Sequence, residues 1–146
     1  MKHALLCFRT GLPDYSAIDV PEYRWEKSIY GDIEEAIPED CPTLKGNPVI
    51  LISYVDANLC HDMLTGRSVT GIIHIANQTV IDYFTKKQPT VETATYGSEF
   101  MAARTATEQI LDLRLTLRYL GIPIEGYTFL FGDNKTVVDS CGLPKA

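Results

Sequence analysis

Asp56, Glu99 and Asp133 are acids whose settings differ from that of a surface carboxylate. Asp56 closes the apolar run Val49-Ile50-Leu51-Ile52-Ser53-Tyr54-Val55, Glu99 opens a long helical pattern, and Asp133 follows the run Tyr127-Thr128-Phe129-Leu130-Phe131. Brought to one point, three carboxylates repel one another unless a cation neutralises them. Hard oxygen donors of this kind favour Mg²⁺ or Mn²⁺ over zinc or copper. Two such ions roughly 4 Å apart activate a water and steady the leaving oxygen of an in-line phosphodiester cleavage, with no covalent nucleophile. The same acids also suit ordinary roles: aspartate caps turns at strand ends, Asp-Asn is turn chemistry, and a glutamate early in a helix is favoured by the helix dipole.

For the three to meet, particular elements must carry them. Residues 49–55 form a nearly continuous β-prone run, read as a buried central strand that ends at Asp56. After a polar loop over 58–68, residues 70–76 and 80–85 are β-rich runs separated by Asn77-Gln78-Thr79, a hairpin spacing that completes a three-stranded antiparallel meander. A helix is predicted over 99–120. Its apolar stripe is Phe100, Ala103, Ala106, Ile110, Leu113, Leu117 and Leu120, it carries Glu99 in its first turn, and Gly121-Ile122-Pro123 stops it. Residues 127–131 read as a fourth strand and 135–141 as the start of a second helix. If the first and fourth strands lie parallel and adjacent, Asp56 and Asp133 share one carboxyl edge, and the helix leans Glu99 toward it. The class is α/β with a mixed sheet.

Residues 1–47 read as an irregular acidic lead-in and 48–146 as the folded domain. From residue 11 to 47 prolines and acids alternate with aromatics without a sustained period, leaving room for short strands at 23–25 and 28–30 and for Trp25 as an anchor. The net charge is −6, with nine acids and five bases in residues 1–46. That balance argues against a chain that grips nucleic acid unaided, because Lys and Arg supply most non-specific affinity for phosphate. Cys7, Cys41, Cys60 and Cys141 are scattered, with no paired spacing for zinc or a disulfide framework, and read as free thiols. No apolar run approaches the roughly 20 residues that a bilayer requires, and the N-terminal apolar stretch is too short for a secretory signal, so no membrane is implied and the location is read as intracellular.

Three strings carry a resemblance to a known family: Tyr54-Val55-Asp56-Ala57-Asn58, then Thr65-Gly66-Arg67-Ser68-Val69-Thr70-Gly71, then Lys86-Lys87-Gln88-Pro89-Thr90-Val91 running on to Ser98-Glu99-Phe100. Together with the Glu-Phe-Met-Ala helix start and the final Asp133-Asn134, they resemble the RNase H domain of copia-type retrotransposon polyproteins, notably those of algal and diatom genomes. The similarity covers about residues 49–138, and residues 11–47 correspond to the variable connection that follows reverse transcriptase. The resemblance implies an RNase H-like mixed sheet, a three-stranded antiparallel meander plus a parallel strand, flanked by helices. It implies that Asp56, Glu99 and Asp133 are the catalytic, metal-binding carboxylates, with Mg²⁺ or Mn²⁺ as cofactor. The reaction would be hydrolysis of the RNA strand of an RNA–DNA hybrid during reverse transcription. The partner would be the reverse transcriptase domain of the parent polyprotein, in the cytoplasm or a virus-like particle.

Family members continue past the Asp-Asn helix into a His-containing segment with a fourth metal-ligand position, a fifth strand and a last helix, whereas this chain ends at Gly142-Leu143-Pro144-Lys145-Ala146. The expectation is therefore a fragment of a decayed element that lacks the last strand and helix. Its metal would be held by three ligands, its activity impaired, and its residues 127–131 left as a sheet edge open to edge-strand dimerisation. The alternative is a catalytically dead RNase H-like relic, or a module that binds nucleic acid or the polymerase.

Around the acids, Arg67, Lys86, Lys87, Arg104 and Lys135 are expected to border the site and touch phosphate, with Asn134 beside them as a further substrate contact, since a hybrid is recognised largely through shape, phosphate and 2′-hydroxyl contacts. Asn134 and Ser98 flank proposed ligands and either orient them or cap helices; capping is the reading for Ser98. Asp62, Asp82, Glu92 and Asp139 read as surface acids, with Asp139, six residues after Asp133, the candidate substitute for the fourth ligand. Tyr96 and Phe100 read as core-facing.

Overall fold

The computed structural model describes Gly11 and residues 37–141; the expectations for 23–25, 28–30 and Trp25 lie outside them. Four strands, β1 (Leu51–Asp62), β2 (Arg67–Ala76), β3 (Thr79–Lys87) and β4 (Phe129–Phe131), make one sheet in the order β3-β2-β1-β4. Two helices follow in the described residues, α1 (Thr95–Tyr119) between β3 and β4, and α2 (Lys135–Cys141) after β4. β1–β2 and β2–β3 are antiparallel, and β1–β4 is parallel. This is the meander plus one parallel strand predicted from the sequence, an arrangement consistent with an RNase H-like fold.

Burial alternates along β1, with Leu51, Ser53, Val55 and Ala57 inward and Tyr54, Asp56 and Asn58 outward. The inward set packs with Ile72 against Ala102 and Ala106 of α1, with Phe84 and Leu130 at the margin. Alanine at both helix positions lets the backbone of α1 lie close to the sheet, which a larger side chain would prevent. The expected stripe is corrected here. Ala106 and Ile110 are buried, but Ser98, Glu99 and Ala102 complete the inward face, while Phe100 is 41% and Tyr96 40% exposed. These two rings stack on each other instead, centroids 5.9 Å apart.

The meander is also longer than expected. Residues 58–68 are not one polar loop: β1 runs on to Asp62 through a bulge at which Cys60 has a φ of 52°, and β2 starts at Arg67. Asp62 organises the remaining turn. Its carboxylate accepts from Leu64 N–H and Thr65 Oγ1 and pairs with Lys87, its carbonyl accepts from Gly66 N–H, and Gly66 takes a φ of 67°. Lys87, then Thr65 and the Leu64 N–H, hold the Asp62 carboxyl well below the usual carboxylate range. Asp62 is thus the acid that builds the β1–β2 turn rather than a bystander on the surface.

A buried polar chain ties the sheet to the helix. Ser53 Oγ on β1 lies 2.7 Å from His74 Nδ1 on β2, and His74 Nε2 lies 3.1 Å from Gln109 Oε1 on α1. Because the Gln109 oxygen can only accept, the His74 proton sits on Nε2 and Nδ1 accepts from the serine. His74→Ala would leave a cavity and two stranded polar groups, so a loss of about 2–4 kcal/mol in urea unfolding is expected. A loss under about 1 kcal/mol would show that this chain does not hold the layers together.

At the other end of α1, Arg114 Nη1 donates to Thr128 Oγ1 at 2.8 Å, and Val49 pairs with Ile124 in a parallel bridge, which together guide the chain into β4. No helix among the described residues is long and apolar enough to cross a membrane.

Candidate metal centre

Tyr54 and Phe131 are Cα partners in the parallel β1–β4 ladder. Asp56 and Asp133 each stand two residues further along their own strand direction, so the register that pairs the aromatic residues carries both aspartates to the same level. The sequence placed Asp56 at the end of its strand. It lies instead in the middle of β1, opposite Gly71 of β2, and what ends near it is β4. The strand persists because β2 continues to pair with it as far as Asn58 without a break.

That early end of β4 shapes the site. Ile50, immediately before β1, directs its backbone groups to Asn77 at the β2 side. Strand alternation therefore turns the N–H groups of residues 53, 55 and 57 toward β4. At residue 57 no β4 partner remains, and the Ala57 N–H is taken by the Glu99 carboxylate. Glu99 reaches around the uncovered edge of β1 from the helix layer to meet Asp56, which points out of the opposite face.

One carboxylate oxygen from each of Asp56, Glu99 and Asp133 can be chosen so that all three lie within 4.8 Å of one another. Asp56 and Asp133 are exposed and Glu99 is only 6% exposed. Burial is the largest influence on Glu99 and raises its pKa; the charges of Asp133 and Asp56 raise it further, and the Ala57 N–H opposes them. Three hard, like-charged oxygen donors this close, one of them desolvated, suit a divalent oxygen-seeking cation such as Mg²⁺ or Mn²⁺. Asp139, exposed on α2, is outside this cluster.

Glu99 lies one turn inside α1 rather than in its first turn, because the helix begins at Thr95, with Gly97 N–H and Ser98 N–H already bonded to Ala94 O. Ser98 consequently does not cap: its Oγ donates to Thr95 O within the helix, and Ala94 holds the N-cap position with no side-chain bond. Asn134 does cap, its Oδ1 accepting from the Thr136 and Val137 N–H groups at the start of α2, which fixes the turn that follows Asp133.

Of the cations expected to border the site, Lys87 is paired with Asp62 and Arg104 with Glu108 one helical turn on, the latter an exposed pair of small energetic weight. Arg67, Lys86 and Lys135 are exposed. Lys135, first in α2, lies two residues from Asp133, and Lys86 pairs across from Thr70, next to the Gly71 that faces Asp56.

Two features were missed in the sequence. Asp56 and Asp133 wall one end of a groove of about 820 Å³ on the outer face of the sheet, floored by Tyr54, Phe131, Ile73 and Tyr83. These four occupy one row across all four strands, and the rings of Tyr54 and Phe131 stack with centroids 5.4 Å apart. Period-two alternation in residues 54–56, together with its counterpart at 131–133, was the available signal. The second feature is the buried Gln88, visible in the sequence only as part of the Lys-Lys-Gln string.

Over 100 residues, 68% of its length, the chain is 27% identical to the retrovirus-related Pol polyprotein from transposon TNT 1-94 of Nicotiana tabacum. It spans 8% of that relative's length, and so is similar to a short segment of a retrotransposon polyprotein. No family model matches the chain, and no solved structure matches it significantly.

Proposed function

We propose that the chain carries a metal-dependent nuclease centre that hydrolyses the RNA strand of RNA–DNA hybrids, as a segment of a retrotransposon polyprotein. The observation that carries this reading is the convergence of Asp56, Glu99 and Asp133 oxygens within 4.8 Å where β4 ends beside β1. The polyprotein relative supports the setting, and the family strings support the choice of hybrid.

When bound, Mg²⁺ or Mn²⁺ would supply Lewis-acid polarisation of the phosphate and a water nucleophile at neutral pH. Asp56, Glu99 and Asp133 would be the residues that hold it. The chain's own contribution is positional. Two exposed aspartates would hold the ion on the open side, where a backbone phosphate arrives, and Glu99, braced by the Ala57 N–H, closes the site from the helix side. Lys135, two residues along the chain from Asp133, would meet a flanking phosphate, whereas Lys86 shares a row with the inward-facing Thr70 and Ala57, on the other face of the sheet from Asp56. With a net charge of −6 and few cations beside the acids, the grip on substrate is weak.

The test is incubation with labelled RNA–DNA hybrid, duplex RNA and duplex DNA in Mg²⁺, in Mn²⁺ and in chelator. RNA-strand cleavage of the hybrid alone, abolished by chelator, is the expected result. Folded protein that cleaves none of the three in either metal sinks the enzyme reading.

A further inference from the structure

We propose that Gln88 is the positioning residue that sets Glu99 against Asp56 and Asp133; this rests on the metal-centre reading of those acids. Gln88 directly follows β3 and precedes Pro89, whose ring confines the residue before it to extended backbone. Its N–H donates to Ser68 O at 2.8 Å, which anchors it to β2. The side chain, 4% exposed, spends its amide group on two acceptors: Nε2 donates to Ser98 O at 2.8 Å and to Thr70 Oγ1 at 3.0 Å. Ser98 immediately precedes Glu99 on α1, and Thr70 immediately precedes Gly71, the cross-strand partner of Asp56. A single NH₂ group therefore ties the backbone that carries one carboxylate to the strand beside another.

The orientation of that amide is dictated by chemistry. The Ser98 carbonyl can only accept, so the NH₂ end must face it. The other end, Oε1, is buried with no donor among the described residues. A half-satisfied buried amide is destabilising, and a methionine or leucine would fill the same space without that penalty. What such a residue could not do is hold the Ser98 carbonyl. The hold matters because Ala94, at the N-cap of α1, offers no side-chain cap, leaving Gln88 as a side-chain clamp from outside the helix on its first turns. The Gln of the Lys-Lys-Gln string, to which the nuclease reading assigned nothing, thereby acquires a role.

The experiment measures Mn²⁺ binding, by loss of the free-ion paramagnetic resonance signal, for the full chain, Asp56→Asn, Gln88→Met and Ile110→Val. Ile110 is buried on α1 three turns from Glu99, so its variant lowers stability without touching the clamp. Groups that orient metal ligands typically change affinity by about 10–100-fold, and Gln88→Met is expected to weaken Mn²⁺ binding by about tenfold or more. Ile110→Val, at equal or lower melting temperature, should keep the parent affinity. Parent-like affinity in Gln88→Met, with Asp56→Asn impaired, overturns the positioning role and leaves the metal centre standing. No Mn²⁺ binding by the parent chain overturns the metal centre and the positioning role with it. Should Gln88→Met fail to fold, Thr70→Val removes one of the two acceptors; a smaller fall of the same sign is expected, and an unchanged affinity there overturns the proposal.

Discussion

Asp56→Asn is expected to lower cleavage of the RNA–DNA hybrid by on the order of a thousandfold, the scale of losing one group that stabilises charge developing in a transition state. The substitution changes almost no volume. Asp56 is exposed, its backbone is held in the β1–β2 ladder opposite Gly71, and asparagine fits the same space. What is lost is one of three negative oxygens within 4.8 Å of one another, and with it much of the site's attraction for a divalent ion. The fold should not suffer. Removing a charge that raises the Glu99 pKa relieves repulsion, so the metal-free melting temperature stays level or rises. Lost activity at preserved or improved metal-free stability separates a ligand from a residue that merely supports the sheet. A variant that cleaves within about threefold of the parent would remove Asp56 from the centre, since the loss of a true charge-stabilising group is measured in hundreds.

The loss at Asp56 follows from a register that the sequence displayed in part. Two apolar runs, each with an acid one or two residues beyond it, made parallel neighbours with a shared carboxyl edge a natural reading, and Tyr54 opposite Phe131 realises it. Period-two runs and a hairpin spacing were enough for the meander. Boundaries were harder, because they depend on partners. Asp56 looked terminal since the apolar run stops there, yet β2 pairs onward to Asn58, and Asp62 supplies a turn whose bonds come from Leu64, Thr65 and Lys87. The helix start was misplaced by one turn because Thr95, Gly97 and Ser98 read as a lead-in, while the bonds to Ala94 O make them helical.

The inward face of α1 was misread for a different reason. The stripe was drawn through Phe100, but contact with the sheet selects small residues: Ala106 is buried as expected, while Ala102 rather than Phe100 or Ala103 completes that face. Buried polar contacts left still less trace. Nothing in the order of residues states that His74 sits between Ser53 and Gln109, or that Gln88 reaches Ser98, since both links join elements distant in sequence whose spacing only the packed layers set.

Glu99→Gln should raise the melting temperature of the metal-free protein at neutral pH and abolish cleavage. Burial and the charges of Asp133 and Asp56 raise the native Glu99 pKa, whereas the unfolded chain titrates in the ordinary glutamate range. Between those two values the native state holds a proton that the unfolded state has released. Stability therefore falls as pH rises through that window and stays at the lower level above it. Glutamine removes the titration while its side-chain oxygen still accepts from the Ala57 N–H, so the variant's stability is flat where the parent's declines. Each 1 kcal/mol of relief moves the melting temperature of a domain this size by roughly 4 °C, well within reach of a thermal scan. Magnesium reverses the comparison. Binding only the native state, it stabilises the parent in proportion to the logarithm of ion concentration, and it stabilises the glutamine variant much less because one anionic oxygen is gone. If Glu99→Gln instead lowers the metal-free melting temperature at neutral pH, the ionised carboxylate contributes more through its Ala57 bond than it loses to burial and repulsion. The three acids would then be a structural cluster, with no stored repulsion for a metal to relieve.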